Sequence, residues 1–406
     1  STQSLIYIRY ISESVTQLPG KHRRKEIDME LSELRRKIDG IDDQIAELFA
    51  ERMSTALEVA KVKKAAGIPV LNRTREREIL SRIAEKTPDD LQIYAKILYS
   101  MLFDLSRSYQ QRYLTEKSDI AERIKKALEE TDKLFPSKAV VACQGVEGAY
   151  SQIACDKLFA LPSIMYFNRF EGVFQAVAKG LCRYGILPIE NSSHGSVLEV
   201  YDLMKRYSFH IVRSIKLQIN HVILAKPGSK LSDIKEIFSH EQAIGQCSEF
   251  LKKFDGKVTV CENTAVAAKM VAESQRPDIA AISSESCAVL YGLSVIASDI
   301  QNSSNNYTRF ICISKELEIY PGANRVSLML SIPHRPGALY EVIAKFSALG
   351  LNLTKLESRP IPGRDFEFMF YLDMDASVYS PELIQLLCEL GSTPDKFVFL
   401  GCYSEI

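Results

Sequence analysis

The longest uninterrupted helical pattern in the sequence lies near its start and limits how this region can fold. Aliphatic residues recur every three or four positions from Leu31 to Val62, which puts them on one face of a helix. Gly67-Ile68-Pro69 ends the pattern. A helix of about 37 residues from Glu30 would be roughly 55 Å long. Because a domain of fewer than a hundred residues cannot cover such a helix, the pattern predicts pairing with a second copy of the chain in an intertwined dimer.

The segments around this helix are more polar. Residues 1–28 have no sustained periodicity, which predicts a disordered extension. Its basic cluster from Lys21 to Lys25 is interpreted as solvated, with a nucleic-acid or targeting patch as the alternative. Further helices are predicted at about Thr74–Glu85 and Asp89–Tyr113, followed by a charged connector at Asp119–Leu134. These patterns divide the region into a helical domain at 29–113 and a helical linker at 114–138.

Composition places the chain among ordinary globular proteins. Its 406 residues predict two to four domains, and 51 basic residues balance 51 acidic ones, which gives no support to a nucleic-acid or membrane-surface role. No apolar run approaches the roughly 20 residues that span a bilayer. The nine cysteines lack CxxC spacing and the six histidines lack ligand spacing. We therefore expect free thiols in a reducing cytoplasm, with no metal and no cofactor.

The middle of the chain has the pattern of an α/β fold. Ala139–Cys143 and Gly185–Ile189 are short apolar runs typical of buried strands, and helical stretches such as Thr264–Glu273 alternate with further strands. The alternation predicts doubly wound α/β lobes over 139–317, with ligands at the carboxyl ends of strands.

A third pattern begins at Arg325. Apolar and polar residues alternate over the next eight positions, and Pro336-Gly337 then opens a helical stretch. Two strands, the helix Pro381–Leu390 and a last strand complete a βαββαβ order. This order predicts a ferredoxin-like domain over 325–403.

The helical domain carries polar residues among its apolar ones. Arg35, Arg52, Lys63 and Arg75 are spaced so that a dimer would bring them to one cavity, and Ser106 and Gln110 share a helix face. Cations without a nucleophile or a metal suit a small di-anion. The alternative is that these residues are ordinary solvated helix charges.

Several short motifs in this domain, in the same order, resemble the all-helical chorismate mutase family. They are Leu34-Arg35-Arg36-Lys37-Ile38-Asp39, Glu51-Arg52, Val62-Lys63 and Arg73-Thr74-Arg75-Glu76-Arg77. The resemblance implies an intertwined dimer that rearranges chorismate to prephenate, with Lys63 and Gln110 donating to the ether oxygen. It also implies a substrate-binding set of Arg35, which would reach into the partner's site, and Arg52, Asn72, Arg75, Glu76 and Ser106. Asn72 stands where the family usually has Asp.

Four motifs of the middle region resemble prephenate dehydratase. They are Gly145-Val146-Glu147-Gly148-Ala149-Tyr150-Ser151, Glu190-Asn191-Ser192, Ser239-His240 with Gln246-Cys247, and Thr308-Arg309-Phe310. The resemblance implies two α/β lobes like those of a periplasmic binding protein, with the active site in the cleft. Thr308 would polarise the leaving hydroxyl, Glu190 is the candidate proton donor, and Arg309 would hold a carboxylate. The rest of the implied substrate-binding set is Asn191, Ser192, Ser239, Gln246 and Thr264.

Two motifs of the last domain resemble the ACT regulatory domain that accompanies this dehydratase. They are Gly337-Ala338-Leu339 and Glu357-Ser358-Arg359-Pro360. The resemblance implies that these residues bind phenylalanine, with Gly337 allowing the amino acid to approach the backbone.

Together the resemblances imply a bifunctional enzyme of phenylalanine biosynthesis, inhibited by L-phenylalanine and assembled as a homodimer or higher homo-oligomer. Its small-molecule partners would be chorismate, prephenate and phenylalanine, without nucleic acid or membrane. Two alternatives remain open at this point. One is a dehydratase that uses arogenate, and the other is a non-catalytic amino-acid-binding regulator.

Overall fold

A computed structural model describes residues 20–68, 72–114, 119–332, 334, 336–361, 368–391 and 397–406. The chain divides into two compact units, with the boundary between Glu116 and Lys117. We call them the helical unit and the α/β unit and describe each by itself. The part of the predicted extension before residue 20 lies outside the described residues.

The helical unit contains α1 (Gly20–Ala65), α2 (Arg73–Lys86) and α3 (Gln92–Leu114), and α3 packs against both others. The predicted start of α1 at Glu30 is wrong, because the helix begins ten residues earlier and includes the basic cluster. Lys, Arg and Glu favour helix without giving an apolar periodicity, so the pattern did not indicate this part. At 46 residues, α1 is about 69 Å long.

The apolar faces of α1 and α3 are largely uncovered within one chain. On α1, Leu34, Ile38 and Ile45 are 49%, 55% and 57% exposed, and on α3, Ile93 and Ile97 are 64% and 52% exposed. Contiguous apolar surface of this kind marks an interaction site. The predicted pairing with a second copy is not tested by a single chain and stays a prediction.

The first lobe of the α/β unit is built on a mixed sheet with strand order β2-β1-β3-β11-β5, with the short β4 paired to β3. β1, β2 and β3 are parallel, and β11 is antiparallel to β3 and β5. The prediction missed β2 and the helix after it. The elements are β1 (Lys138–Gln144), α5 (Tyr150–Leu158), β2 (Leu161–Phe167), α6 (Phe170–Ala178), β3 (Tyr184–Asn191), β4 (Gly195–Ser196), α7 (Leu198–Tyr207), β5 (His210–Gln218) and β11 (Tyr307–Ser314).

The second lobe is built on a sheet with strand order β10-β6-β9-β7-β8. The chain enters this lobe through residues 219–221 and returns through residues 298–306, so these two segments join the lobes. The elements are β6 (Val222–Ala225), β7 (Glu236–His240), α8 (Glu241–Gln246), α9 (Ser248–Leu251), β8 (Lys257–Cys261), α10 (Thr264–Glu273), β9 (Ile279–Ser283), α11 (Ser286–Tyr291) and β10 (Ser294–Ala297).

The C-terminal domain confirms the predicted βαββαβ order. Its antiparallel sheet has the strand order β13-β14-β12-β15, which is the ferredoxin-like arrangement. The elements are β12 (Arg325–Ile332), α12 (Ala338–Ala348), β13 (Asn352–Pro360), β14 (Phe368–Asp375), α13 (Pro381–Leu390) and β15 (Phe397–Tyr403).

The connector predicted as a linker is instead part of the folded core. Its helix α4 (Asp119–Glu130) packs against α13, and Ile120, Ile124 and Ala127 are buried in the core of the C-terminal domain. The spacing of these three residues gives α4 one apolar face, and burial of that face ties the connector to the α/β unit.

The first lobe and the C-terminal domain share a continuous core. Met329, Tyr371 and Leu400 of the C-terminal domain belong to the same buried cluster as Tyr201 of the first lobe. β15 lies so close to β5 that a Cβ on Gly401 would stand 2.3 Å from the carbonyl oxygen of Ile211. Only glycine permits this approach, because any side chain would collide with backbone.

The described ranges contain no helix whose length and apolar character would carry it through a bilayer. All nine cysteines fall within these ranges and are unpaired thiols. No group of three or more His, Cys, Asp or Glu side chains that could hold a metal ion occurs in the same ranges.

Candidate active sites

A cavity of about 220 Å³ lies among the three helices of the helical unit. α1 contributes Arg52 and Lys63, and α3 contributes Ser106, Arg107 and Gln110. α2 and the residue before it contribute Arg75, Glu76 and Asn72. The predicted polar set therefore converges on one place, except for Arg35, which does not line this cavity. Its predicted contribution to a partner's cavity stays a prediction.

Two polar side chains on α3 are buried at the wall of this cavity. Ser106 and Gln110 are 6% and 7% exposed, and the Gln110 Nε2 donates to the Ser106 hydroxyl at 3.2 Å. Gln110 Oε1 has no hydrogen-bond partner in the described protein. A buried amide with an unused polar atom is costly unless a ligand completes it.

The cations around the cavity are held in place by their neighbours. Arg52 donates to the carbonyl oxygen of Leu102 at 3.2 Å and lies over the ring of Phe103. Arg107 pairs with Glu76 and with Asp104. The contacts of Arg52 fix its positive charge at the wall, which lowers the reorganisation needed to bind an anion, whereas the charge of Arg107 is neutralised by its two carboxylate partners.

Asn72 has a structural role at the start of α2. Its side-chain oxygen accepts a hydrogen bond from the backbone N–H of Arg75 at 3.0 Å and caps the helix. Asp and Asn are equally good at this position. The departure from the usual Asp therefore keeps the cap and removes one negative charge from the cavity wall.

A second cavity, of about 300 Å³, lies in the cleft between the two lobes of the α/β unit. Asn191 and Thr308 line it from the first lobe, Gln246 and Thr264 line it from the second, and His221 lines it from the segment that joins them. Both lobes and a segment that joins them therefore contribute to this cavity.

Thr308 and Asn191 form a buried pair at the centre of the cleft. They are opposite each other in the register of β11 and β3, so their side chains lie on the same face of the sheet. Asn191 Nδ2 donates to Thr308 Oγ1 at 2.9 Å, and its Oδ1 accepts from the backbone N–H groups of Ser193 and His194 at 2.9 and 3.0 Å. Thr308 and Asn191 are 8% and 7% exposed.

His221 and Gln246 link the joining segment to the second lobe. His221 Nε2 lies 2.8 Å from Gln246 Oε1, which accepts its hydrogen, and Gln246 Nε2 lies 3.2 Å from His194 Nδ1. Burial lowers the pKa of His221, so the imidazole is neutral at pH 7. A neutral ring that donates from Nε2 leaves Nδ1 as an acceptor.

Neutral donors dominate the wall of the cleft. Neither Lys nor Arg occurs among the described residues that line it. Tyr150 and Ser151 open α5, which has no side-chain cap, and Thr264 opens α10 behind the cap Asn263. Helix N-termini present unpaired N–H groups and a positive dipole end, so they attract anions.

The neighbours of the Thr308–Asn191 pair point to the opposite face of the same sheet. Arg309 is 6% exposed and forms ion pairs with Asp373 of β14 and with Glu405, and it also donates to the hydroxyl of Tyr403. Glu190, which is opposite Arg309 in the register, pairs with Lys355 of β13 at 3.0 Å. One face of β3 and β11 thus lines the cleft, and the opposite face contacts the C-terminal domain.

Comparison with known proteins finds a family match for each of the two units. The family model for chorismate mutase type II matches residues 34–111, and the model for prephenate dehydratase matches residues 141–318. The chain is 33% identical over 381 residues to the bifunctional chorismate mutase/prephenate dehydratase of Escherichia coli (strain K12), covering 91% of this chain and 95% of that protein. The chain belongs to the bifunctional chorismate mutase/prephenate dehydratase family.

Two further comparisons each cover about two thirds of this chain. Arogenate dehydratase/prephenate dehydratase 2 of Arabidopsis thaliana is 39% identical over 279 residues, covering 66% of this chain and 73% of that protein. The crystal structure of prephenate dehydratase from Arthrobacter aurescens in complex with L-Phe superposes with a TM-score of 0.60 at 28% identity. It covers 65% of this chain and 89% of that one.

Several residues predicted to bind substrate in the dehydratase cleft do not line it. Arg309 and Glu190 were assigned to the substrate, but strand alternation turns both toward the C-terminal domain. Ser239 is fully buried and donates to the carbonyl oxygen of Ile282. Ser192 donates to the carbonyl oxygen of Asn305 and accepts from the N–H of Tyr307, so it fastens the turn after β3.

The residues predicted to bind an effector fall into two groups. Gly337 has φ +82°, caps α12 and has open space where a Cβ would stand, whereas Ala338 is buried and Leu339 packs on the domain core. On β13, Ser358 is exposed, whereas Glu357 accepts from Ser196 at 2.8 Å and Arg359 pairs with Asp202 at 2.7 Å. Glu357 and Arg359 therefore contact the dehydratase lobe directly.

Sequence reasoning missed three residues that the structure brings to the sites. Arg107 lies one position after Ser106 at the mutase cavity, and His221 lies at the cleft between the lobes. Asn306 is 2% exposed and accepts from Asn191 Nδ2 at 3.0 Å. Its position two residues before Thr308 was the available signal, because alternation puts both side chains on one face.

Proposed function

We propose that the helical unit rearranges chorismate to prephenate and that the cleft of the α/β unit converts prephenate to phenylpyruvate. The observation that carries this proposal is that one chain holds both a cation-and-amide cavity and the buried Thr308–Asn191 pair in a separate cleft. A non-catalytic amino-acid-binding regulator would need only one ligand cleft, so the first cavity argues against that alternative.

The mutase cavity suits a reaction that needs no nucleophile. The rearrangement is pericyclic, so the protein has to hold the compact conformer of a di-anion and stabilise charge on the ether oxygen. Such orientation and fixed-dipole effects are each worth several kcal/mol in a dry site. Arg52 and Arg75 would hold carboxylates, Glu76 and Ser106 would hold the ring hydroxyl and the second carboxylate, and Lys63 and Gln110 would donate to the ether oxygen.

The side-chain amide of Gln110 can take this role if its amide group rotates by 180°. In the structure Nε2 donates to Ser106, and Oε1 has no hydrogen-bond partner among the described residues. A 180° rotation exchanges the two atoms, since a serine hydroxyl both donates and accepts. Oε1 would then accept from Ser106, and Nε2 would donate to the ether oxygen of the substrate.

In the dehydratase cleft, Thr308 would assist the departing hydroxyl. The bond between the ring and its carboxylate breaks and carbon dioxide leaves, the electron pair moves into the ring, and the ring C–O bond breaks as hydroxide departs and takes up a proton from solvent to form water. Because Thr308 Oγ1 already accepts from Asn191, its hydrogen is free to point at the leaving oxygen. This hydrogen bond stabilises charge where it develops in the transition state.

The substrate carboxylates of prephenate would meet helix N-termini rather than cations. Ser151 on α5 and Thr264 on α10 approach the cleft from different lobes, so one di-anion would bridge the two. We infer that substrate binding narrows the cleft and removes water from Thr308, which strengthens its hydrogen bond.

We further propose that the C-terminal domain is an ACT domain that binds L-phenylalanine near Gly337 and Ser358 and inhibits the dehydratase. The supporting contacts are those of Glu357, Arg359 and Lys355 with the first lobe. Each lies on the strand that carries the effector motif. A shift of β13 would therefore reach Glu190, the neighbour of Asn191.

The assembly and the location follow from the same features. The exposed aliphatic faces of α1 and α3 support a homodimer in which Arg35 enters the partner's mutase cavity. The free thiols fit the reducing cytoplasm, where phenylalanine biosynthesis would take place.

Dehydration of arogenate is the second candidate activity of the cleft. Glu262 lines the cavity next to Asn263 and Thr264, and a carboxylate at this position would favour the ammonium group that arogenate carries. Turnover of purified enzyme on equal concentrations of prephenate and arogenate distinguishes the two, and we expect prephenate to be preferred because the neutral donors of the cleft can hydrogen-bond to its keto oxygen, which arogenate lacks.

The two activities should be separable by single substitutions. Lys63→Ala should abolish prephenate formation from chorismate and leave prephenate dehydration unchanged. Thr308→Ala should lower dehydration about 10²–10³-fold, the usual effect of losing one transition-state donor, and leave the mutase unchanged. Both products are followed in the same preparation. The activity that a variant retains then shows that the variant is folded. Dehydration at the parent rate in Thr308→Ala would rule out our assignment.

A further inference from the structure

Asn306 ends the segment that returns from the second lobe and lies beside the Thr308–Asn191 pair. Its backbone carbonyl accepts from the N–H of Ile219, on the outgoing segment, at 2.8 Å. Its side chain is 2% exposed, and Oδ1 accepts from Asn191 Nδ2 at 3.0 Å. Asn306 therefore connects both joining segments to the amide that contacts Thr308.

The hydrogen bonds fix which way each group points. Backbone N–H groups of Ser193 and His194 can only donate, so the atom of Asn191 that they reach must be its oxygen. The Asn191 nitrogen then supplies one hydrogen to Asn306 Oδ1 and the other to Thr308 Oγ1. Thr308 consequently accepts from Asn191, and its own hydrogen has to point elsewhere, toward the cleft.

Asn306 retains a polar atom that folding alone does not use. Its Nδ2 is buried and has no hydrogen-bond partner in the described protein. The side chain also lies at the wall of a polar cavity together with Ser193, His194 and Gln246. A buried donor without a partner is unfavourable for stability, so a functional reason for asparagine at this position is expected.

We propose that Asn306 is a positioning residue of the dehydratase, acting through Asn191 on Thr308. Its Oδ1 holds the Asn191 amide in the orientation that leaves the hydrogen of Thr308 free for the departing hydroxyl. The inference rests on the proposed dehydratase function and adds to it a residue that touches neither the substrate nor the reacting atoms.

The first test compares Asn306→Ala with Asn306→Asp and the control Asn305→Ala. Asn305 is adjacent, and its side chain is exposed to solvent. Asn306→Ala should lower the kcat of prephenate dehydration about 10–100-fold, less than the loss expected for a direct donor, with KM changed less than twofold. Asn306→Asp keeps the acceptor oxygen and should recover most of kcat, and Asn305→Ala should match the parent.

A double-mutant cycle then separates positioning from general destabilisation. If Asn306 acts only through Asn191, then Asn306→Ala should cost nothing further in an Asn191→Ala background, because residues that act as a unit are non-additive. Losses that multiply, a changed KM with unchanged kcat, or no recovery in Asn306→Asp would each overturn the inference.

Two measurements on the same preparations keep these outcomes interpretable. Mutase activity and the thermal midpoint of each variant report folding independently of the cleft. Failure of the parent chain to dehydrate prephenate would refute the proposed function itself. An active parent together with a fully active Asn306→Ala would refute only the role of Asn306.

Discussion

At the residue scale, the neutrality of Gln110 makes the mutase sensitive to a single charge. Gln110→Glu places a carboxylate against the developing negative charge of the ether oxygen at pH 7, whereas the protonated acid still donates a hydrogen bond. We expect mutase activity at least tenfold below the parent at pH 7.5 and recovery as the pH falls toward 5. Initial rates of prephenate formation between pH 5 and pH 8 measure this profile.

Prephenate dehydration serves as the internal control for this variant. It takes place in the other unit of the chain, so its pH profile should be the same in the parent and in Gln110→Glu. A Glu variant that rearranges chorismate at the parent rate at pH 7.5 would contradict a donor role for Gln110.

The successes and failures of residue prediction in the cleft have one physical origin. The order of the motifs predicted one shared site, and the structure places four of its residues at one cavity: Asn191, Gln246, Thr264 and Thr308. Alternation along a strand implies that Arg309 faces away from Thr308, yet the sequence does not say which face meets the cleft. β11 is buried on both faces, so its pattern lacks the polar side that usually marks solvent.

At the element scale, α4 is held to the rest of the α/β unit partly through a buried histidine. His210 Nδ1 donates to the carbonyl oxygen of Phe399, and Nε2 accepts from Arg123 of α4 at 3.3 Å. Burial, and after it the charge of Arg123, lower the pKa of His210 to about 4. Protonation would place a hydrogen against the guanidinium, so the folded state favours the neutral ring.

This histidine should make the unit less stable in acid. The unfolded chain binds the proton with an ordinary pKa near 6.5, so it takes up more protons than the folded chain between about pH 6.5 and pH 4. The stability contributed by the neutral ring is therefore complete above that window and lost as the pH falls through it, by up to about 3 kcal/mol. His210→Gln should flatten the decrease of the thermal midpoint over this range.

A second variant tests the role of His210 through its charged neighbour. Arg123→Met removes the neighbouring positive charge, so it should raise the pKa of His210 and reduce the loss of stability in acid. Thermal midpoints that fall equally in the parent, His210→Gln and Arg123→Met would show that His210 does not control this loss.

The elements were predictable where the pattern was long or where a turn marked the boundary. Pro381 at the start of α13 and Thr264 after its Asn cap gave correct helix bounds. The role of α4 was not predictable, because its apolar residues are few among charges and the surface that covers them comes from α13, about 260 residues further along the chain. The spacing of these residues marks an apolar face, but it does not identify a covering surface that lies so far along the chain.

At the scale of the whole molecule, the dehydratase lobes and the C-terminal domain are less separable than their sequences indicated. Arg309 of the first lobe is neutralised by Asp373 and Glu405. A chain truncated at Arg325 would remove both partners of Arg309 and uncover the apolar face of the first lobe that packs against Met329, Tyr371 and Leu400, and exposed apolar surface of this kind promotes aggregation. Regulation is therefore better tested by substitution within the full chain than by deletion of the domain.

Gly337 offers such a substitution. Its φ of +82° favours glycine, and a Cβ there meets no atom within 4 Å, so Gly337→Ala should cost only about 1 kcal/mol of backbone strain. A methyl group at this position would block the approach of phenylalanine to the backbone, and inhibition should weaken at least tenfold while both activities without phenylalanine stay near the parent values.

Gly322→Ala is the matched control, because Gly322 has φ +85° and equally open space outside the effector motifs. Calorimetric titration with phenylalanine and dehydratase assays check both variants. Equal loss of inhibition in Gly322→Ala, or full inhibition in Gly337→Ala, would place the effector elsewhere, since an effector acts only through tighter binding to the less active state.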